Sequence, residues 1–196
     1  SVVRTIAKTP EQQRMLAQSL NIKGQIKLAR GLAQDAIDNL YLCAKIFEQL
    51  DAKDQVLLIK INLSLAWEAL GLYPRACKIL LAALQMESKT CEVSNASFAS
   101  LKQQVSVENV QAINALGQVL RVLGKLDRSY DILSFGLESA GKLGLRREVA
   151  AIELNLGNTE RAKSNKPGLT AEERAELERS ALNYYTRSAE AIAGAS

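Results

Sequence analysis

The chain has 196 residues, and 47% of them are hydrophobic, enough for a buried core, while aromatics supply only 5%. Ala and Leu dominate the apolar set and lose little entropy on becoming helical, and three prolines in the whole chain (Pro10, Pro74 and Pro167) are too few for a turn-rich β fold. The net charge of +4 comes from interspersed acidic and basic residues with no basic block denser than Arg146-Arg147, so nucleic acid is not an expected partner, and no apolar run approaches the roughly 20 residues that span a bilayer.

Hydrophobic periodicity predicts eight main helices. The first, 10–30, opens on Thr9-Pro10, an N-cap followed by proline at the first helical position. Helices 33–49, 52–70 and 73–87 follow. A polar, turn-like linker over 88–103 separates them from helices 104–123, 126–141 and 144–163. An insertion at 164–170 precedes the last helix, 171–193, which starts with the capping-box arrangement Thr170-Ala-Glu-Glu173.

Four segments are similar to one another when anchored on Gly24, Ser64, Gly117 and Gly157, at spacings of 40, 53 and 40 residues. The anchor is small each time, so a neighbouring helix can approach it closely. Seven residues after the first three anchors stand Gly31, Gly71 and Gly124, natural helix stops in the left-handed region. Further on come Ala36, Ala76 and Ser129, then Leu40, Leu80 and Leu133, then Cys43, Ala83 and Gly136. Small, large and small at steps of four and three is one helix face. Ala181, Tyr185 and Ser188 restore that face in the last helix. Each unit is therefore helix A, a tight turn and helix B.

This register resembles the tetratricopeptide repeat, over about residues 10–193, in the long subclass of about 40 residues found in kinesin light chains and cyanobacterial multi-repeat proteins. The Asn-Leu-Gly-Asn run at 155–158 is particularly like that subclass. Lys23, Lys27 and Glu160 depart from the usual apolar or aromatic residues, and the proline that often ends a repeat is missing. The resemblance implies an all-α, right-handed superhelical α-solenoid of about four antiparallel hairpins in a single domain, 1–196, with repeats at 10–50, 52–87, 104–141 and 144–193. It also implies that helix A lines a concave groove that binds a partner protein or extended peptide.

Counting from the anchors, the groove set is Asn21 and Gln25 in repeat one, Asn62 in repeat two, Asn114, Gln118 and Arg121 in repeat three, and Asn155, Asn158 and Arg161 in repeat four. Gln18, Leu28, Leu58, Ile61, Leu65, Glu68 and Gln111 lie on the same faces. Amides present donors and acceptors to a peptide backbone, and Arg121 and Arg161, one repeat apart in the same register, suit a carboxylate, so the expected ligand is acidic. The lysine-and-asparagine clamp of chaperone-tail receptors is interrupted by Leu58 and Ile61.

Trp67 and Tyr185 are expected in the core and Tyr184 half exposed. The chain lacks histidine, so no Cys-His or Ser-His pair and no histidine metal site can form; no catalytic residue, cofactor or metal is expected. Gly136, Gly141 and Gly144 read as helix caps and connections, not as a phosphate loop. Three widely spaced cysteines argue against a disulfide framework and for a reducing, cytoplasmic setting, with Cys43 and Cys77 as small packing residues and Cys91, in the linker, as the candidate reactive thiol. Alternative readings are the regulatory repeat region of a larger enzyme, such as a caspase-like peptidase of the CHAT type, and an RNA-binding helical repeat. Self-association through the terminal repeats is a further expectation, because a solenoid leaves a hairpin face uncovered at each end.

Overall fold

A computed structural model describes residues 9–86, 88, 90–102 and 105–193. The predicted helix end at Glu87, the linker residues Lys89 and Gln103, and the predicted helix start at Gln104 lie outside them. Among the described residues the chain is all α: α1 Pro10–Ala29, α2 Ala33–Gln49, α3 Lys53–Ala69, α4 Tyr73–Ala83, α5 Asn95–Leu101, α6 Val107–Val122, α7 Leu126–Lys142, α8 Arg146–Ser164 and α9 Ala171–Ala193. Contacts divide the chain into two compact units, Ser1–Gln85 and Met86–Ser196. In the first, α1 to α4 pack in sequence and α1 also meets α3; in the second, α6 to α9 do the same, with α6 meeting α8.

The capping signals place the helix starts. Thr9 accepts from the Gln12 amide at 3.2 Å while its own amide donates to the Gln12 side chain, and Thr170 and Glu173 repeat the exchange before α9. Ser106 accepts from the Asn109 amide at 3.2 Å, which starts α6 at Val107, later than the predicted 104. The stops are as regular. Gly31 (φ 76°) donates to Leu28 and Leu32 donates to Lys27, the paired bonds of a Schellman turn. Gly71, Gly124 and Gly144 repeat the geometry, and Asp51 (φ 50°) occupies the same place between α2 and α3 without glycine's freedom. Gly144 in this conformation is why α8 begins at Arg146 and not at the predicted 144.

Three sequence readings are corrected. Helix α4 stops at Ala83, before the predicted 87: Gln85 turns into the left-handed region (φ 56°), and Leu84 and Met86 are buried beside the turn. Gly136 and Gly141 are helical residues of α7, not caps. A Cβ on Gly136 would lie 2.7 Å from Ile113, so this glycine admits α6. The linker is not merely turn-like: Ser94 caps α5, Leu101 and Val93 are buried, and Phe98 meets Phe135 of α7 edge to face at 6.1 Å.

The small-against-large register holds in detail. A Cβ on Gly24 would stand 2.8 Å from Leu40, on Gly117 2.4 Å from Leu133, and on Gly157 2.5 Å from the Tyr185 ring. Ser129 uses the close approach of α7 to α6 to donate to the Gly117 carbonyl at 2.8 Å. Leu133, Val110, Ala140, Ile152 and Leu156 form a buried cluster in the second unit. In the first unit the core runs through Leu40, Leu63, Leu80 and Trp67, whose ring meets Tyr41 edge-on and lies under Arg75.

Cys43 is buried, donates to the Ala17 carbonyl, and is pushed up to about 11 by burial, so it packs and does not react. Cys43 is the free thiol among the cysteines, and Cys91, buried and disulfide-bonded against the sequence reading, is no accessible nucleophile. No helix among the described residues is long and apolar enough to cross a membrane.

Candidate functional site

The helix A faces carry the predicted groove residues, and the structure ties several of them together. In the first unit Asn62 Nδ2 on α3 donates to Asn21 Oδ1 on α1 at 3.1 Å, and Gln25 Nε2 reaches the same oxygen at 3.5 Å. In the second unit Asn155 Nδ2 on α8 donates to Asn114 Oδ1 on α6 at 2.9 Å. All four asparagines are half-buried, and the two pairs occupy the same register in their units, two or three residues before the anchor. Local sequence alone cannot show this, because each bond crosses 41 residues.

Each pair uses one donor and one acceptor of two amides. The NH2 of Asn21 or Asn114 and the carbonyl of Asn62 or Asn155 keep hydrogen-bonding capacity. One such donor and one such acceptor match the N–H and C=O of a peptide unit. The amides thus serve both readings: they bond between adjacent helices and keep a donor group and an acceptor group to spare.

The remaining residues divide. Asn158 turns toward α9, where its Oδ1 accepts from the Tyr185 hydroxyl at 3.0 Å. Gln111 donates to Glu148 across α6 and α8 at 3.2 Å. Gln118 is half-buried and Gln25 exposed. Arg121 is half-buried on the last turn of α6, and its Nε is buried without a hydrogen-bond partner. Arg161 is exposed on the last turn of α8, the helix packed against α6. In the first unit the corresponding face is aliphatic, with Leu58 and Leu65 exposed and Ile61 half-buried.

A second polar group, between α7, α8 and α9, escapes the sequence reading. Glu153 is buried and holds Arg187 at 2.6 Å. Glu160, also buried, pairs with Lys163 at 3.3 Å, and that ammonium lies over the Tyr130 ring. The hydroxyls of Tyr130 and Tyr184 are 3.1 Å apart, and burial, helped by Tyr130, pushes the Tyr184 phenol up. Every charge there has a partner, so the group anchors α9 on α8 instead of offering a free reactive side chain. The available signal was Glu160 in a register where the resemblance puts an aromatic residue.

No protein-family model matches the chain, and no curated protein matches it.

Proposed function

We propose that the chain is a protein-interaction module, a right-handed solenoid of four tetratricopeptide-type hairpins whose helix A faces bind an extended peptide. The observation that carries this reading is the repeated asparagine pair, which leaves a spare donor and a spare acceptor at the same register in each unit. Two further features set the chemistry of the ligand. Arg121 is half-buried on the last turn of α6, where its guanidinium carries a positive charge that a carboxylate matches. Arg161 repeats its register on the neighbouring helix, so an acidic side chain or carboxylate is the favoured group there. The role is binding, with no chemistry of the module's own.

A peptide library displayed against the chain tests the proposal. Selected peptides should be acidic, should shift the side-chain amide signals of Asn114 and Asn155, and should lose at least tenfold in affinity for the Arg121→Glu, Arg161→Glu double variant. Peptides that bind the double variant as well as they bind the parent chain would sink the acidic groove.

A further inference from the structure

Exposed apolar side chains stand in packing registers on α1, in the first unit, and on α9, in the second. On α1, Met15, Ile22 and Ile26 follow at i, i+7 and i+11 and are 64%, 56% and 48% exposed. Counted from the anchors, Ile26 stands where α3 has Ala66 and α8 has Thr159, both fully buried. Ile22 stands where Asn62 and Asn155 reach back to the preceding helix A. The stripe is therefore the surface by which a hairpin of this chain packs on the one before it.

On α9, Leu182 and Ile192 are 65% and 64% exposed. Relative to the large packing residue, Leu182 takes the place of Tyr130 and Ile192 that of Ala140; Tyr130 packs on the core cluster and Ala140 belongs to it. Ile192 and Leu154 also wall an open cleft of about 520 Å³ between α8 and α9, lined by Arg146 and Arg147 as well. That surface is the one a hairpin offers to the next.

We propose that these faces meet between copies of the chain: α9 of one molecule receives α1 of another, antiparallel, as α7 receives α8 within the chain. Length and charge both choose this occupant. Met15 to Ile26 spans about 16 Å and Leu182 to Ile192 about 15 Å, so Ile26 falls on Leu182 as Met15 falls on Ile192. Arg30, just past the end of α1, then lies beside Glu176 and Glu178 of α9, and the described charges of α1 with its cap (Glu11 against Arg14, Lys23, Lys27 and Arg30) are net positive where those of α9 (Glu172, Glu173, Glu176, Glu178 and Glu190 against Arg174, Arg179 and Arg187) are net negative. At the other end Glu11 approaches the cleft with Arg146 and Arg147. Lys163 of α8 and Asp127 of α7 already pair in this sense within the chain, at 3.5 Å. The contact uses two different surfaces, so it is heterologous and each molecule can bind two others.

Sedimentation velocity on the full chain tests this, over a range of concentration up to the millimolar. The parent chain should grow from monomer to dimer and larger species, and should shrink again in about 1 M salt, where the screening length falls to about 3 Å. A head variant (Ile22→Glu, Ile26→Glu) and a tail variant (Leu182→Glu, Ile192→Glu), all at exposed positions and checked for unchanged helix content, should each stay monomeric. Mixed in equal amounts they should form a dimer and nothing larger, because one intact head still meets one intact tail. A parent chain that stays monomeric at the highest concentration, or a mixture of variants that stays monomeric, overturns the proposal. The readout is assembly in the absence of any peptide, so its failure is distinguishable from a failure of peptide binding.

Discussion

Replacing Gly117 with Ala adds one methyl group to α6 and should destabilise the second unit. The new carbon would lie 2.4 Å from both Cγ and Cδ2 of Leu133, over 1 Å inside the roughly 3.5–4.0 Å at which carbons pack. Leu133 is fully buried among Val110, Ala140, Ile152 and Leu156 and cannot swing away without displacing them. Moving α7 outward instead would stretch the Ser129 bond to the Gly117 carbonyl. Overpacking of this kind costs about 1–3 kcal/mol, and the strained or lost hydrogen bond adds about 1. Against that, alanine gains about 1 kcal/mol over glycine in a helix interior. The expected net loss is about 2 kcal/mol, read from urea unfolding followed by far-UV circular dichroism.

Two comparisons isolate the cause. Gly141→Ala, in the last turn of α7 with no atom within 4 Å of the added carbon, should stabilise by about 0.5 kcal/mol. Leu133→Ala alone should cost at least 2 kcal/mol, but combined with Gly117→Ala it should cost about 1 kcal/mol less than the two changes summed, because the alanine methyl occupies the space the leucine vacates. A Gly117→Ala chain as stable as the parent, or strict additivity of the two changes, would refute the close-approach reasoning.

Asp51→Gly should raise the stability of the first unit by about 0.5–1 kcal/mol, because Asp51 holds a left-handed φ that costs a side-chain-bearing residue energy; the fluorescence of Trp67, the single tryptophan, reports the urea midpoint. Cys43 has a folded pKa raised from 9.0 to about 11, so its contribution is complete below pH 9 and is lost as pH climbs toward 11. Unfolding free energies of the parent should therefore fall over that window more steeply than those of Cys43→Ala, and parallel curves would contradict the burial argument. Arg187→Met leaves the buried Glu153 carboxylate without its partner; since Arg187 is about half exposed, the cost should be about 1–2 kcal/mol, partly recovered by adding Glu153→Gln, as a double-mutant cycle would show.

What the sequence determined by itself is local. Helix starts at Thr9 and Thr170, left-handed stops at Gly31, Gly71 and Gly124, and the small residues at Gly24, Gly117 and Gly157 all depend on backbone conformations or volumes that a few neighbouring residues specify. Where a competing local preference was stronger, as at Gln85 and Ser106, the predicted boundary moved by a few residues. The candidate site was half legible: register put Asn21, Asn62, Asn114 and Asn155 on helix A faces, yet only tertiary packing decided that they bond in pairs and that Asn158 belongs to Tyr185 instead. The same holds for Glu153 and Glu160: only tertiary packing decides that both are buried, that Arg187 of α9 meets Glu153, and that Lys163, the partner of Glu160, lies over Tyr130 of α7. Pairing a polar side chain needs a partner at hydrogen-bonding distance, and that distance is set by how helices 41 residues apart come to rest on one another.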